Sequence, residues 1–212
     1  MTPYYEHAGI TIYHGDCREV LPTLSADVVI TDPPYGVGII YGSYEDALNE
    51  TTGLVLDFVL TATAMSRCVA FSVGAFATEK ELYRILPPRW RMCWYKGTQS
   101  TVSPIGFSDW EMILVYGDRV HNYAHDYFCA RPEVMGAFGH PCPKPIAFSR
   151  TLIRRLARAG DVICDPFMGS GTTLRAAKDL GHPAIGIEIE ERYCEIAARR
   201  LAQEVLPLEV VG

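Results

Sequence analysis

Apolar and polar positions along the chain alternate with a period near two in some stretches and near 3.6 in others, and the two kinds of stretch follow one another. Ile10-Thr-Ile-Tyr13 alternates as a short strand that stops at His14-Gly15-Asp16, and Arg18 to Leu21 reads as a short helix closed by Pro22. Asp27-Val-Val-Ile-Thr31 is a β-branched run suited to a buried strand, halted by Asp32-Pro-Pro-Tyr35. Asp46 to Arg67 predicts a helix with Leu54, Phe58 and Met65 on its apolar side. Cys68 to Val73 predicts a second buried strand, and about Thr78 to Leu86 another helix. Trp90 to Lys96 and Glu111 to Tyr116 alternate as strands joined by a loop rich in Gly, Ser, Thr and Pro.

The last third repeats the theme. Ser149 to Ala159 predicts a basic amphipathic helix ended by Gly160, and Asp161 to Asp165 a strand. A glycine turn from Phe167 to Thr172 then leads into a helix reaching Leu180. Pro183 to Glu188 predicts a strand, and Glu190 to Val205 a helix. Strands alternating with helices imply an α/β fold, an open and mostly parallel sheet with helices on both faces. No repeat or long linker interrupts the pattern, so residues 1–212 are expected to form one domain.

Composition narrows the class. With 49% hydrophobic and 21% charged residues the chain is ordinary globular material, neither disordered nor fibrous. The longest apolar stretch, Leu54 to Met65, is broken by Asp57 and is too short to span a bilayer, and no secretory signal opens the chain. No membrane association is expected. Seven cysteines lie scattered without a C-x-x-C pair, which fits buried apolar thiols in a reducing cytoplasm better than a disulfide framework or a zinc site. A net charge of -6 argues against a broad surface for wrapping nucleic acid, though not against a local basic face.

Two stretches carry chemistry. Asp165-Pro-Phe-Met-Gly-Ser-Gly-Thr-Thr173 joins a strand to a helix, and Gly169 and Gly171 allow backbone N–H groups to approach a ligand. A P-loop is ruled out because Thr172 stands where a phosphate-binding lysine belongs, and G-x-G-x-x-G because Leu174 replaces the third glycine. Glu188, at the end of the next strand, is placed to accept hydrogen bonds from ribose hydroxyls, or else is a charge favoured by the following helix. Together these indicate an adenosine-containing ligand. Thr31-Asp-Pro-Pro-Tyr35 ends a buried strand with a carboxylate, a carbonyl freed from the ladder at Pro33 and an aromatic ring. Such a set suits a planar exocyclic amine, with two acceptors for its N–H groups and a ring for stacking. No metal-ligand spacing or catalytic triad is present, so no metal is expected.

Asp32-Pro-Pro-Tyr35 resembles the D-P-P-Y motif of the amino-group DNA methyltransferases, and the glycine turn resembles their F-x-G-x-G motif. The catalytic motif comes first, the circularly permuted order of the β class of the N6-adenine/N4-cytosine family. His14-Gly-Asp16 with Leu21, Trp94-Tyr-Lys96, Glu111 to Val115, His140-Pro-Cys-Pro-Lys-Pro145 and Gly186-Ile-Glu188 resemble further family landmarks in order. The resemblance implies a Rossmann-like fold that moves a methyl group from S-adenosylmethionine to a base amine of DNA, in a prokaryotic or phage-infected cytoplasm. Asp32, Pro33, Pro34 and Tyr35 would form the catalytic turn. Asp16, Asp32, Lys144, Pro145, Asp165, Phe167, Gly169, Ser170, Gly171, Thr172 and Glu188 would hold the cofactor. Asp at position 32 favours adenine N6; cytosine N4, a protein glutamine amide, or a non-catalytic cofactor- or DNA-binding role stand as alternatives. A homodimer is implied by analogy only.

The chain departs from the family in carrying Pro143 where Gln is common and in having only Tyr116 to Gly139 where many members hold a larger target-recognition segment. Arg119, His121, Tyr123, His125, Tyr127, Phe128 and Arg131 in that reduced segment are candidates for DNA contact. So are Arg84, Arg89, Arg91 and Lys96 among Trp90, Trp94 and Tyr95. Arg150, Arg154 and Arg158, spaced to share one helix face, are a third candidate group.

Overall fold

The computed structural model describes residues 2–35, 40–41, 44–45, 48–74, 76–97, 101–103, 106–117, 124–133 and 144–203. In chain order come β1 (Tyr5–His7), β2 (Ile10–His14), α1 (Cys17–Val20) with a 3-10 turn at Leu21–Thr23, and β3 (Val28–Thr31). The ribbon β4 (Ile40–Tyr41) and β5 (Tyr44–Glu45) precedes α2 (Leu48–Met65), β6 (Cys68–Val73), α3 (Phe76–Ile85) and β7 (Trp90–Tyr95). A hairpin, β8 (Thr101–Ser103) and β9 (Gly106–Ser108), occupies part of the expected loop before β10 (Trp110–Gly117) and β11 (Tyr127–Cys129). The chain closes with α4 (Ile146–Leu156), β12 (Ile163–Asp165), α5 (Thr172–Asp179), β13 (Ala184–Glu188) and α6 (Glu191–Ala202).

Nine strands form one sheet in the order β1-β2-β13-β12-β3-β6-β10-β7-β11. Pairing is parallel from β2 through β6 and again between β7 and β11, and antiparallel at β1/β2, β6/β10 and β10/β7. The mostly parallel α/β sheet expected from the alternation is therefore present. Strand periodicity sorts its side chains onto two faces. Val28, Ile30, Ala70, Ile113 and Val115 pack with Leu152, Leu174, Ala177 and Ala197 of α4, α5 and α6. Val29, Val69, Phe71, Leu114 and Tyr116 pack with Val20, Val55, Phe58 and Leu82 of α1, α2 and α3. Each large side chain so buried contributes about 1.5–3 kcal/mol.

Tertiary contacts shift several boundaries. The amphipathic pattern predicts a helix over 149–159, yet α4 spans Ile146–Leu156 and Ala157 is extended at φ -93, ψ 150. Asp161 stops it: its carboxylate pairs with Arg67 and accepts the Arg158 N–H at 2.7 Å. Gly160 lies in the turn beyond, and Arg158 is off the helix. Among the cysteines, Cys17, Cys68, Cys164 and Cys194 are buried, but Cys129 is exposed on the edge strand, and Cys142 lies outside the described residues. No helix among the described residues is long and apolar enough to cross a membrane.

One glycine controls a helix-to-helix approach. Gly171 sits at φ +79 ahead of α5, and a Cβ there would lie 2.8 Å from Ala197 Cβ of α6. Gly160 has a similar φ of +85 with open space around it. Gly171→Ala is expected to cost about 2 kcal/mol, or about 4–8 °C in Tm, whereas Gly160→Ala bears backbone strain alone and loses less. Thermal melts of the two variants side by side check this; equal losses would remove the α5–α6 contact as the cause.

Candidate active site at the carboxyl ends of the strands

Because β2, β13, β12, β3 and β6 run parallel, their carboxyl ends meet along one sheet edge, where ligands of such folds bind. That edge gathers Asp16 after β2, Glu188 ending β13, Asp165 ending β12 and Asp32 after β3. The two chemical stretches of the sequence, more than a hundred residues apart, are joined directly. Thr31 Oγ1 donates to Asp165 Oδ1 at 2.5 Å, and the Phe167 N–H donates to the same oxygen at 3.1 Å. Asp165 is 4% exposed, and its burial pushes the pKa up to about 6 against the bonds from Thr31 and Thr173 that favour the anion.

An open cleft of about 1070 Å³, mouth included, runs along this edge. Asp16, Asp32, Pro34, Lys144, Asp165, Phe167, Gly169, Ser170, Thr172 and Glu188, all expected at the site, line it. Pro33 and Tyr35 border a small adjoining cavity with Pro34, Phe71, Ser72 and Gly74, and the Tyr35 hydroxyl reaches Asp32 and Lys144 of the cleft. Pro145 and Gly171 lie behind the wall, as the residues that precede α4 and α5. The chain thus brings together ten of the expected residues on one surface and uses the other four to shape it.

The two carboxylates at the far end of the cleft differ in character. Asp16 caps α1 through the Arg18 N–H at 2.8 Å, and the Arg18 side-chain bonds hold its pKa below the ordinary value. Glu188 accepts the Gly169 N–H on Oε2 and the Glu190 N–H on Oε1, each at 2.9 Å. Burial nevertheless pushes its pKa up to about 7. A carboxylate has about four lone-pair positions, so two backbone bonds leave Glu188 room for a pair of hydroxyl donors.

At the near end, Asp32 Oδ1 takes the Tyr35 hydroxyl at 2.6 Å, the Ser72 hydroxyl at 2.5 Å and the Lys144 ammonium at 3.1 Å. The Lys144 ammonium also lies 2.9 Å from Glu111 Oε2 and 2.8 Å from the Tyr35 hydroxyl, which itself reaches Glu111 Oε2 at 3.1 Å. Lys96 approaches Glu111 Oε1 at 3.4 Å. Burial works against the Lys144 charge, but Asp32 and Glu111 outweigh it and hold its pKa above the ordinary value. Burial likewise raises Glu111, and the Lys144 and Lys96 charges bring it below the usual carboxylate range. The Tyr35 phenol is pushed well up by burial and the two carboxylates.

This arrangement has counterparts. A family model for the N6/N4 DNA methylases matches residues 110–199. The type II methyltransferase M.ScaI of Streptomyces caespitosus is 26% identical over 97% of this chain and 86% of its own length. The chain is thus similar to the N6/N4 DNA methylases, over residues 110–199 by the family model and over nearly its whole length by M.ScaI. Among solved structures, the M1.HpyAVI complex with SAM superposes with a TM-score of 0.69 at 24% identity, over 92% of this chain and all of that one. The cytosine-N4-specific PvuII DNA methyltransferase gives 0.74 at 18% identity, over 96% and 90%. The chain therefore shares the fold of these two methyltransferases, one of which is cytosine-N4-specific.

Ser72 is not among the expected site residues, Glu111 is expected only as a family landmark, and Lys96 is expected to touch DNA and not a carboxylate. Their signal was present: each is polar on the inward register of its strand, Ser72 with Ala70, Lys96 with Trp94, Glu111 with Ile113 and Val115. Several of the expected DNA contacts are engaged within the chain instead. Phe128 is buried in the core, Trp94 is buried with its Nε1 donating to the Ala130 carbonyl at 2.8 Å, and Lys96 is buried against Glu111. Arg150 pairs with Asp179, and Arg155 donates to the His125 and Tyr127 carbonyls. With Arg158 off the helix, no three-arginine face exists on α4. His125, Tyr127 and Arg131 are exposed, while Arg119, His121 and Tyr123 lie outside the described residues.

The raised pKa of Glu188 fixes a sign. A carboxyl whose folded value of about 7 exceeds its ordinary 4.5 adds stability below that ordinary value, and the contribution is lost as pH rises through about 7. The unliganded protein is expected to gain about 1 kcal/mol from this group between pH 8 and pH 6, and Glu188→Gln to flatten that slope. Denaturant titrations across the window check it; an unchanged slope in the variant would assign the effect elsewhere.

Proposed function

We propose that this chain methylates the exocyclic N6 amine of adenine in DNA, with S-adenosylmethionine as the donor. The observation that carries the reading is the shared cleft: Asp32 and Pro34 of one motif line it together with Gly169, Ser170 and Glu188 of the other. The donor set fits the cofactor. Glu188 has acceptor capacity for ribose hydroxyls, Phe167 and Ile189 offer apolar surface to a purine ring, and Asp16 stands beside them. The relative M1.HpyAVI, described in complex with SAM, shares the fold.

When bound, S-adenosylmethionine supplies an electrophilic methyl group on a sulfonium sulfur. The chain's own task is to make a poor nucleophile attack it, since an adenine amine keeps its lone pair in ring conjugation. Asp32 and the Pro33 carbonyl accept the two N–H bonds and draw the lone pair out of ring conjugation, worth several kcal/mol where water is excluded. Tyr35 supplies the ring for stacking on an extruded base. Asp32, within hydrogen-bond reach, also stands ready to take the proton that the nitrogen sheds. Asp rather than Ser at position 32 supports adenine. The likeness to the PvuII enzyme supports cytosine N4 as the second reading. The exposed His125, Tyr127 and Arg131 are the recognition contacts we assign to the reduced segment.

Incubation with methyl-labelled S-adenosylmethionine and DNA, followed by nucleoside analysis, is expected to give N6-methyladenine. Asp32→Ala is expected to lower kcat at least about 100-fold with little change in cofactor affinity. Label in N4-methylcytosine would overturn the adenine assignment, and label in no base would overturn the reading itself.

A further inference from the structure

The site holds two carboxylates where the proposed chemistry uses one. Glu111 is on β10, Asp32 follows β3, and the strand β6 lies between them. Two donors bridge the gap. The Tyr35 hydroxyl is 2.6 Å from Asp32 and 3.1 Å from Glu111, and the Lys144 ammonium is 3.1 Å from Asp32 and 2.9 Å from Glu111. The Ser72 hydroxyl makes a third donor on Asp32.

A carboxylate already serving three donors, one of them a cation, draws weakly on a fourth, because each bond withdraws the electron density that the next would use. All three donors fall on Asp32 Oδ1, so that oxygen is fully engaged and the carboxylate as a whole is a weakened acceptor for an amine. Glu111 lies within bonding distance of both shared donors, so transferring them needs little movement. Its second oxygen is steadied by Lys96, itself 5% exposed at the side chain, which keeps Glu111 ionised and in place.

We propose that Glu111 is a positioning residue that takes the Tyr35 and Lys144 donors from Asp32 as the base amine arrives, leaving the Asp32 charge for the amine. Resting on the reading of Asp32 as the amine acceptor, this assigns Glu111 to the chemical step and not to cofactor binding. With Glu111 gone, both donors stay on Asp32 and compete with the substrate.

Glu111→Gln keeps the shape and removes the charge. It is expected to lower kcat about 10- to 100-fold, the worth of a charge-assisted hydrogen bond, with KM for S-adenosylmethionine within about twofold. The deciding readout is the double variant Glu111→Gln/Tyr35→Phe, which removes one competing donor and is expected to recover part of the lost kcat. A double variant no faster than Glu111→Gln, or a Glu111→Gln enzyme with unchanged kcat, overturns the proposal. Circular dichroism melts of both variants establish that they fold, and if Glu111→Gln does not, Glu111→Asp replaces it with the same two readouts. Asp32→Ala measured alongside separates the outcomes: if it retains activity, the reading of Asp32 fails. If it is inactive while Glu111→Gln is unimpaired, only the role of Glu111 fails.

Discussion

The bond from Thr31 to Asp165 is the constraint on which the site depends. It joins the end of β3 to the end of β12 inside the sheet, next to the Asp32–Tyr35 turn on one side and the glycine turn on the other. Both groups are buried, Thr31 at 1% and Asp165 at 4%, so neither can exchange its partner for water without a cost of about 1–3 kcal/mol. A short, dry bond of this kind fixes the separation of Asp32 from Gly169 more firmly than surface loops would. Asp165 tolerates burial because Thr31, Thr173 and the Phe167 N–H all favour its anion.

Around that tie the cleft has two electrostatic regimes. The Glu188 end is carboxylate met by backbone N–H groups, with little cationic charge close by. Burial therefore prevails there, and the group titrates near neutrality. The Asp32 end is two carboxylates interleaved with two lysines, and there Coulomb attraction wins over burial for both Glu111 and Lys144. One end is suited to neutral hydroxyl donors and the other to moving charge. That division follows from where the lysines fall: Lys96, just after β7, meets Glu111 on β10, and Lys144, before α4, meets both Glu111 and Asp32.

The acidic composition bears on the rest of the surface. Much of the arginine on the described surface is spent internally, Arg67 on Asp161, Arg150 and Arg175 on Asp179, Arg155 on backbone carbonyls. A chain with net charge -6 and cations so committed has little left for a broad phosphate track, and its grip on DNA is expected to be local and salt-sensitive.

The sequence by itself determined the α/β class, the helices α1 to α6, the strands β2, β3, β6, β7, β10, β12 and β13, and the two motifs, because hydrophobic period and Gly/Pro punctuation are local properties. The edge strands β1 and β11 and the short ribbons β4/β5 and β8/β9 it did not indicate. It also named the residues lining the cleft at Asp16, Asp32, Lys144 and Glu188. What only the tertiary structure decided was partnership. That Thr31 meets Asp165, that Lys144 and Tyr35 bridge Asp32 to Glu111, and that Asp161 ends α4 early depend on strand order, and strand order is set by packing across the whole sheet. Buried polar residues such as Ser72, Lys96 and Glu111 are read locally as strand members, and become site residues only when the neighbouring strand that satisfies them is known.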